Sequence, residues 1–369
     1  MVRMEKVIEF SRLGSRIGRA TLVREKSLNS LTLETINRLF AQIEDWIDDD
    51  DIACIVLDSS SDRAFCAGAD ITALYHSIKS DDLAHADAFF TNEYRLDFML
   101  HKTEKPVLIW GNGVVMGGGL GLLSGCSHRV GTPDNRIAMP EITIGLFPDA
   151  GATWVLSGLP DKLGTFVGMT GCQLSAGDAL ELGILDYVIE HEKKTEVISS
   201  LEALVWTNDA SGNSMMLSEL LKQFAIKESL PHQLLKHRSA IVGLIDRASD
   251  DDDFFDVFEA GMSTLEIDEW LVGAIETYQR GSATTARIFH EQLQRAPDMT
   301  LAEILRMELD IAGQCVRHPD FSEGVRALLV DKDRRPTWRF ASTKEVPQSY
   351  VEEHFRSPWL GDHPLADLI

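Results

Sequence analysis

"KPVLIWGNGVVMGGGLGLLSG", Lys105 to Gly125, is the stretch on which the fold turns. "PVLIW" is apolar, β-branched and aromatic, and short enough to be a buried strand. "GNG" breaks it, and the triplet Gly117–Gly119 runs straight into an apolar segment that reads as a helix. Glycine is costly in chain entropy, so three in succession imply a backbone that has to stay bare. Three uses compete: a phosphate cradle, close packing, or N–H groups presented to a substrate at a helix N-terminus. The phosphate cradle is the weakest, because no frame gives G-x-G-x-x-G or G-x-x-x-x-G-K-[ST]. Unpaired N–H donors at a helix start suit an anionic oxygen. A carbonyl lying against them would find half of an oxyanion hole.

The same strand–loop–helix plan recurs on either side. "IACIVLDSS" is a short buried-strand candidate, and "RAFCAGADI" follows it as a glycine-bearing loop bending into a helix. That loop is able to supply a second N–H; taken alone, each loop also reads as a tight, closely packed turn. Upstream, Val7–Phe10 and Gly18–Val23 read as strands around the turn "SRLGSR", and "SLTLETINRLFAQIEDWI" as a helix with Thr32 as N-cap and Glu34 in its first turn. Downstream, "HRVGTP" and "RIAMP" are extended, and "EITIGLFPDAGATWVLSGL" is turn-rich before a helix. Strands alternating with helices predict an α/β core with parallel pairing. From about residue 200 the period becomes helical, in "SLEALVWT", "MLSELLKQFA", "STLEIDEWLVGAIETY", "TTARIFHEQLQ" and "LAEILRMELDIAGQCV". The expected organisation is a core over residues 1–205 that carries the site, and a helical region with a wrapping tail over 206–369.

The balance of 35 Lys+Arg against 58 Asp+Glu gives a net charge of −23, with no compensating basic run. Such a surface repels nucleic acid and anionic membranes, and neither is expected as a partner. The aspartate runs at 48–51 and 250–253 lack the alternating ligands and glycine of a calcium loop and read as solvated loops. The five cysteines, Cys54, Cys66, Cys126, Cys172 and Cys315, form no CxxC pair and read as free thiols in a reducing compartment. With no signal peptide and no apolar run long enough to span a bilayer, the cytoplasm is the expected location.

Eleven histidines are scattered singly, without HExxH or a Cys/His cluster, so no metal site is expected. No GxSxG elbow is present. What remains beside the backbone donors is "MPEITIGLFPDAG", Met139 to Gly151, with Glu141 and Asp149 eight residues apart. Two readings stand. Both carboxylates face one cleft as base or nucleophile and polar partner. Alternatively, Glu141 is a first-turn residue after Pro140 and Asp149 a simple N-cap.

"AFCAGAD", "KPVLIWGNGVVMGGGLGL" and "MPEITIGLFPDAG", in that order, resemble the crotonase (enoyl-CoA hydratase/isomerase) superfamily. "LVREKSLNSLTLETI" resembles that family's early coenzyme A contact, and the likeness runs over nearly the whole chain. It implies a spiral of ββα units followed by a helical C-terminal region. Within the superfamily, "GLFPDAG" and "FSEGVRALLVDKDRRPTW" (Phe321–Trp338) resemble a branch that hydrolyses short 3-hydroxyacyl-CoA thioesters in valine breakdown. The branch takes 3-hydroxyisobutyryl-CoA; 3-hydroxypropionyl-CoA fits the same chemistry.

The resemblance implies roles for individual residues. Ala69 and Gly118 would form the oxyanion hole through their backbone N–H groups. Backbone around Lys26, Leu28 and Ala67 would contact the adenine end of CoA; on charge alone, the Lys26 side chain reads either as a partner of the CoA phosphates or as a solvated lysine. Asp70, Ile71, Gly117 and Gly121 would line the substrate, and Glu141 and Asp149 would be catalytic. Hydratases carry a second glutamate two residues beyond the triplet; here that position is Gly121. Holding and activating water for addition to a double bond takes both glutamates, so the departure favours thioester hydrolysis over the hydratase or isomerase alternative. CoA belongs to the substrate, and no metal or redox cofactor is implied. The superfamily often forms trimers, which implies a homo-oligomer of that size or lower.

Overall fold

The computed structural model describes residues 6–250, 253–265 and 268–369. The described residues form nine strands: β1 (Ile8–Leu13), β2 (Ile17–Leu22), β3 (Cys54–Ser59), β4 (Ala64–Cys66), β5 (Val107–Gly111), β6 (Val114–Met116), β7 (His128–Gly131), β8 (Arg136–Ala138) and β9 (Tyr187–Val188). Six form one sheet in the order β1-β2-β3-β5-β7-β9, and three form a second in the order β4-β6-β8. In the larger sheet, among the described residues, β1 and β2 pair antiparallel, from Ile8 opposite Leu22 to Leu13 opposite Ile17. The rest of the larger sheet is parallel, with Ile17 opposite Cys54, Ile55 opposite Val107, Leu108 opposite His128 and Val130 opposite Tyr187. Strands β3 and β5 are buried at every position, which is why β5 and the Cys54–Leu57 part of β3 run apolar rather than alternating; buried Asp58, at the end of β3, accepts from Arg19 at 2.6 Å.

One step explains the topology. A strand of the larger sheet is followed by a short strand of the smaller sheet and then by a helical segment. β3 and β4 lead to the helix Ile71–Lys79, β5 and β6 to the helix Gly118–Gly125, and β7 and β8 to the single turn Glu141–Ile144. This is the ββα spiral, with helices dominating beyond it.

The chain divides into two compact units, interleaved along the sequence. The first takes the chain up to Ala69, then Arg95–Ile137 and Leu174–His232; the second takes Asp70–Tyr94, Ala138–Gln173 and Gln233–Ile369. The change of sequence pattern near residue 205 and this grouping are different divisions of the same chain. In the first unit the core gathers Ile17, Val56, Leu108, Trp110, Val130, Leu217 and Leu221. Buried Trp110 keeps its indole N–H satisfied by donating to His191 Nδ1 at 3.2 Å. In the second, the helix Leu163–Thr170 is buried along its whole length. A Cβ on its Gly168 would lie 2.2 Å from the Phe289 ring, so glycine is what lets the helix Ala283–Arg295 pack there.

Local expectations meet the structure unevenly. Thr32 caps the helix Leu33–Asp48 by accepting the Thr35 N–H at 3.1 Å. "SLEALVWT" is mostly not helical: the helix Lys194–Glu202 stops inside it, and Trp206 donates its indole N–H back to the Leu201 carbonyl at 2.9 Å. "STLEIDEWLVGAIETY" becomes a helix only from Glu269, capped by Asp268; residues 266 and 267 lie outside the described residues. In the 250–253 run, Asp251 and Asp252 also lie outside them. Asp250 ends one helix and Asp253 caps the next by accepting the Asp256 N–H, so these two do more than face solvent. The tail carries the helix Gln348–His354, and the Arg306 guanidinium binds the carbonyls of Leu365 and Leu368. Trp338 is half-buried and donates its indole N–H to the Arg280 carbonyl at 2.8 Å. All five cysteines are buried and none is in a disulfide.

Candidate active site

In the first unit, the three glycines of the triplet do three different things. Gly117 has φ +52 and ψ −128, a conformation closed to residues with a Cβ. Gly118 starts the helix, and the first amides to close onto its turn are those of Leu120 and Gly121, which donate to the Gly117 carbonyl at 2.8 and 3.1 Å. Among the described residues no backbone carbonyl takes the Gly118 N–H. Gly119 is a packing glycine: a Cβ there would lie 2.4 Å from the Cys66 carbonyl.

The second loop meets the first at Gly68, which has φ +96. A Cβ on Gly68 would stand 3.1 Å from the Met116 carbonyl and 3.5 Å from the Gly118 nitrogen. Ala69 follows directly, and among the described residues its N–H also has no carbonyl acceptor. The loop is pinned from behind. Leu31 N–H donates to the Gly68 carbonyl at 2.8 Å, Ala67 N–H to the Leu28 carbonyl at 3.0 Å, and the Asn29 amide to Ser59 Oγ and the Phe65 carbonyl at 2.7 and 2.9 Å. Leu28 and Asn29 both take left-handed backbone to reach these partners. Lys26 is exposed in the turn just before them. The first unit thus gathers Lys26, Leu28, Ala67, Ala69, Gly117, Gly118 and Gly121, the last buried inside its helix. In the second unit, Asp70 is engaged as the N-cap of the helix opening at Ile71, accepting the Ala73 N–H at 3.3 Å.

The second unit builds a carboxylate cluster. Glu141 opens the turn Glu141–Ile144 and is buried. The turn is gripped from two sides. Ser282 N–H donates to the Ile142 carbonyl at 3.0 Å, and the helix Pro319–Val325 lies so close that a Cβ on Gly324 would stand 2.4 Å from the Ile144 backbone. Glu141 Oε2 has no hydrogen-bond partner among the described residues. Burial first, and then the Asp149 charge, hold the Glu141 carboxyl well above the ordinary carboxylate range. Asp149 is buried as well, and its Oδ2 accepts the Tyr94 hydroxyl at 2.7 Å. Burial pushes its carboxyl up to about 6, with the Tyr94 bond pulling the other way.

Asp149 is not an N-cap. The helix Ala152–Ser157 has Gly151 at that position, with no side chain to cap it. Its first amides go instead to a distant residue: Glu308 accepts the Gly151 N–H at 2.7 Å and the Thr153 N–H at 2.9 Å. Burial raises the Glu308 carboxyl to about 8 against those bonds. Tyr94 and Glu308 are absent from the residues picked out by motif. Glu308 had a signal: it occupies a core-face position of the amphipathic helix Leu301–Cys315, among Ile304, Leu305, Ile311 and Ala312. A carboxylate there has to be paired or used. Tyr94 is an aromatic residue in the helix Leu83–Lys102, and its pattern does not set it apart from a core residue.

Backbone donors for an oxyanion and a pair of raised, buried carboxylates belong to acyl chemistry on an activated carbonyl. The sequence profile of the enoyl-CoA hydratase/isomerase family matches residues 17–355. The chain belongs to this family. Among enoyl-CoA hydratase/isomerase relatives, it is 31% identical over 348 residues to the mitochondrial 3-hydroxyisobutyryl-CoA hydrolase of Danio rerio, covering 94% of this chain and 89% of that one. The Gallus gallus protein of the same name is 32% identical over 354 residues, covering 94% and 88%. Two solved structures share the fold over nearly the full chain. A carnitinyl-CoA dehydratase from Mycobacterium thermoresistibile superposes with a TM-score of 0.85 at 30% identity, covering 97% of this chain and 99% of that one. An enoyl-CoA hydratase from Rhodobacter sphaeroides 2.4.1 gives 0.83 at 28%, covering 96% and 98%. The relatives also overturn the cytoplasmic expectation, since the hydrolases matched are mitochondrial. Free thiols point to a reducing compartment without telling one such compartment from another.

Proposed function

We propose that this protein hydrolyses 3-hydroxyisobutyryl-CoA to 3-hydroxyisobutyrate and free CoA, the thioester-cleaving step of valine breakdown. The observation that carries this reading is the buried Glu141–Asp149–Tyr94 cluster, in which one Glu141 oxygen has no hydrogen-bond partner among the described residues. In the reaction, the thioester oxygen accepts the Ala69 and Gly118 N–H groups. Glu141 then takes one of two routes. It attacks the carbonyl carbon, expelling CoA thiolate and leaving a mixed anhydride that water opens, or it draws a proton from a water that attacks directly. Asp149 binds the substrate 3-hydroxyl and passes the proton that the leaving sulfur needs. Backbone near Lys26, Leu28 and Ala67 holds the CoA adenine, and Asp70, Ile71, Gly117 and Gly121 line the acyl path. No metal or redox cofactor enters. The partner is the acyl-CoA alone, without nucleic acid or membrane, on a homo-oligomer of three chains or fewer.

The names of the two solved structures put a hydratase-type reaction beside this one. Gly121 argues against it, because a hydratase carries its second glutamate there. The test is free-thiol release from 3-hydroxyisobutyryl-CoA, with crotonyl-CoA as the hydration control. Rapid thiol release without crotonyl-CoA hydration is expected. No thiol release, or fast hydration of crotonyl-CoA, overturns the proposal. Single turnover in oxygen-18 water separates the two routes, since only the anhydride places label in Glu141.

A further inference from the structure

Glu308 sits where an amphipathic helix normally carries an apolar residue, and it is fully buried. A carboxylate in that position is costly unless its oxygens are occupied. Both are: Oε2 accepts the Gly151 N–H and Oε1 the Thr153 N–H. Thr153 is tied further, its Oγ1 accepting the Gln292 side-chain amide at 2.8 Å. The segment so held begins directly after Asp149, and its two leading residues, Ala150 and Gly151, have φ +54 and +80. A left-handed alanine followed by a left-handed glycine is not a shape the chain keeps without outside contacts. The anchor is therefore long-range, and it grips the turn whose first residue is Asp149.

We propose that Glu308 is a positioning residue for thioester hydrolysis: by holding the Gly151 and Thr153 amides it fixes the Asp149–Gly151 turn, and with it the stance of the Asp149 carboxylate against Tyr94 and Glu141. The proposal rests on the reading of Glu141 and Asp149 as the catalytic pair. Among the described residues, the titratable groups around the turn include Glu308, Asp149, Glu141, Tyr94 and, more distantly, Glu93 and the buried Cys315 thiol.

The test is Glu308→Gln, which keeps one acceptor oxygen and turns an NH₂ group toward a backbone N–H. kcat and KM for 3-hydroxyisobutyryl-CoA are measured together with the folded fraction, alone and in an Asp149→Asn background. A loss of about 10²-fold in kcat at nearly unchanged KM is expected, the scale of a small misplacement of a reacting group. In the Asp149→Asn background the further loss shrinks to about threefold or less, because the two changes act through one element. Wild-type kcat in Glu308→Gln overturns the proposal, as does an equal loss in both backgrounds or a loss that only tracks unfolded protein. Should Glu308→Gln fail to fold, Glu308→Asp keeps both acceptors but retracts them by one methylene. An intermediate kcat with the same coupling then supports the proposal, and wild-type kcat overturns it. The two readings fail differently. If Glu141→Gln and Asp149→Asn keep their turnover, the catalytic pair is wrong and positioning falls with it. If those two lose turnover while Glu308→Gln does not, only the positioning role falls.

Discussion

The two units supply opposite kinds of chemistry. The first offers main chain: amide donors at Ala69 and Gly118, set by where glycines permit the backbone to go. The second offers side chains: Glu141, Asp149, Tyr94 and Glu308, set by burial and mutual hydrogen bonding. The difference is physical. An amide N–H carries no titratable charge, so a site built from it is indifferent to pH and sensitive to tenths of an ångström. A buried carboxylate tolerates small shifts but takes its pKa from its surroundings. Variants in one unit should therefore be told from variants in the other by what happens to the pH profile.

The largest effect expected is that of Glu141→Gln, which removes the proposed nucleophile or base. Turnover falls by about 10²- to 10⁴-fold. CoA binding, followed by calorimetry, stays close to wild type. Near-normal turnover would show that Glu141 serves only its turn, and the contrast between the units would lose its chemical half.

Gly119→Ala is next. The new Cβ would lie 2.4 Å from the Cys66 carbonyl, and backbone has to move at the start of the helix that carries the proposed oxyanion-hole donor, Gly118. Displacing one donor of such a hole costs about 10² to 10³ in kcat. The pH profile keeps its shape, because no titrating group is touched. A displaced pH optimum in this variant would break the comparison.

A smaller effect lies in stability. The folded-state pKa of Asp149 is raised from 3.8 to about 6, so the folded chain binds the extra proton between those values. Its contribution to stability is therefore most favourable below pH 4 and is lost as pH rises through about 6. Asp149→Asn removes the buried charge. At pH 8 the variant is more stable by up to about 3 kcal/mol, and near pH 4 the advantage disappears. Thermal melts at the two pH values read this directly; a melting temperature lowered at pH 8 would contradict it.

The smallest effect is that of Tyr94→Phe. The hydroxyl bond to Asp149 holds that carboxyl down, so its loss moves the Asp149 pKa above about 6. The limb of the kcat profile that belongs to Asp149 shifts to higher pH with little change at the plateau. An unshifted limb would show that the Tyr94 bond does not bear on the reacting state.

Legibility in the sequence follows the same division. The glycine loops were readable because each function there leaves a local mark. Gly68 and Gly117 need positive φ, Gly119 needs contact with Cys66, and all lie within a few positions of Ala69 or Gly118. Buried strands β3 and β5 announced themselves by the short apolar runs Cys54–Leu57 and Val107–Trp110. Glu141 and Asp149 were visible as residues but ambiguous in role, since the N-cap reading of Asp149 fails only once Glu308 is seen on the Gly151 and Thr153 amides. The tail "FSEGVRALLVDKDRRPTW" marked a branch of the family without showing why. In the structure, Gly324 admits the Glu141 turn, and Arg326 binds Glu323, Asp331 and Asp333 to close the segment.

By itself the sequence determined the alternation of strands with helices, the bare backbone at the two loops and the absence of a glutamate at position 121, because these depend on φ, on strand and helix period, and on which residue stands at one place; the short second strands Ala64–Cys66 and Val114–Met116 were not legible in it. Only the tertiary structure decided that Glu308 caps the turn after Asp149, that Tyr94 holds Asp149, and that three carboxyls are desolvated together. Those facts depend on burial and on hydrogen bonds between residues far apart in the chain, and no local pattern records the dielectric a side chain will meet.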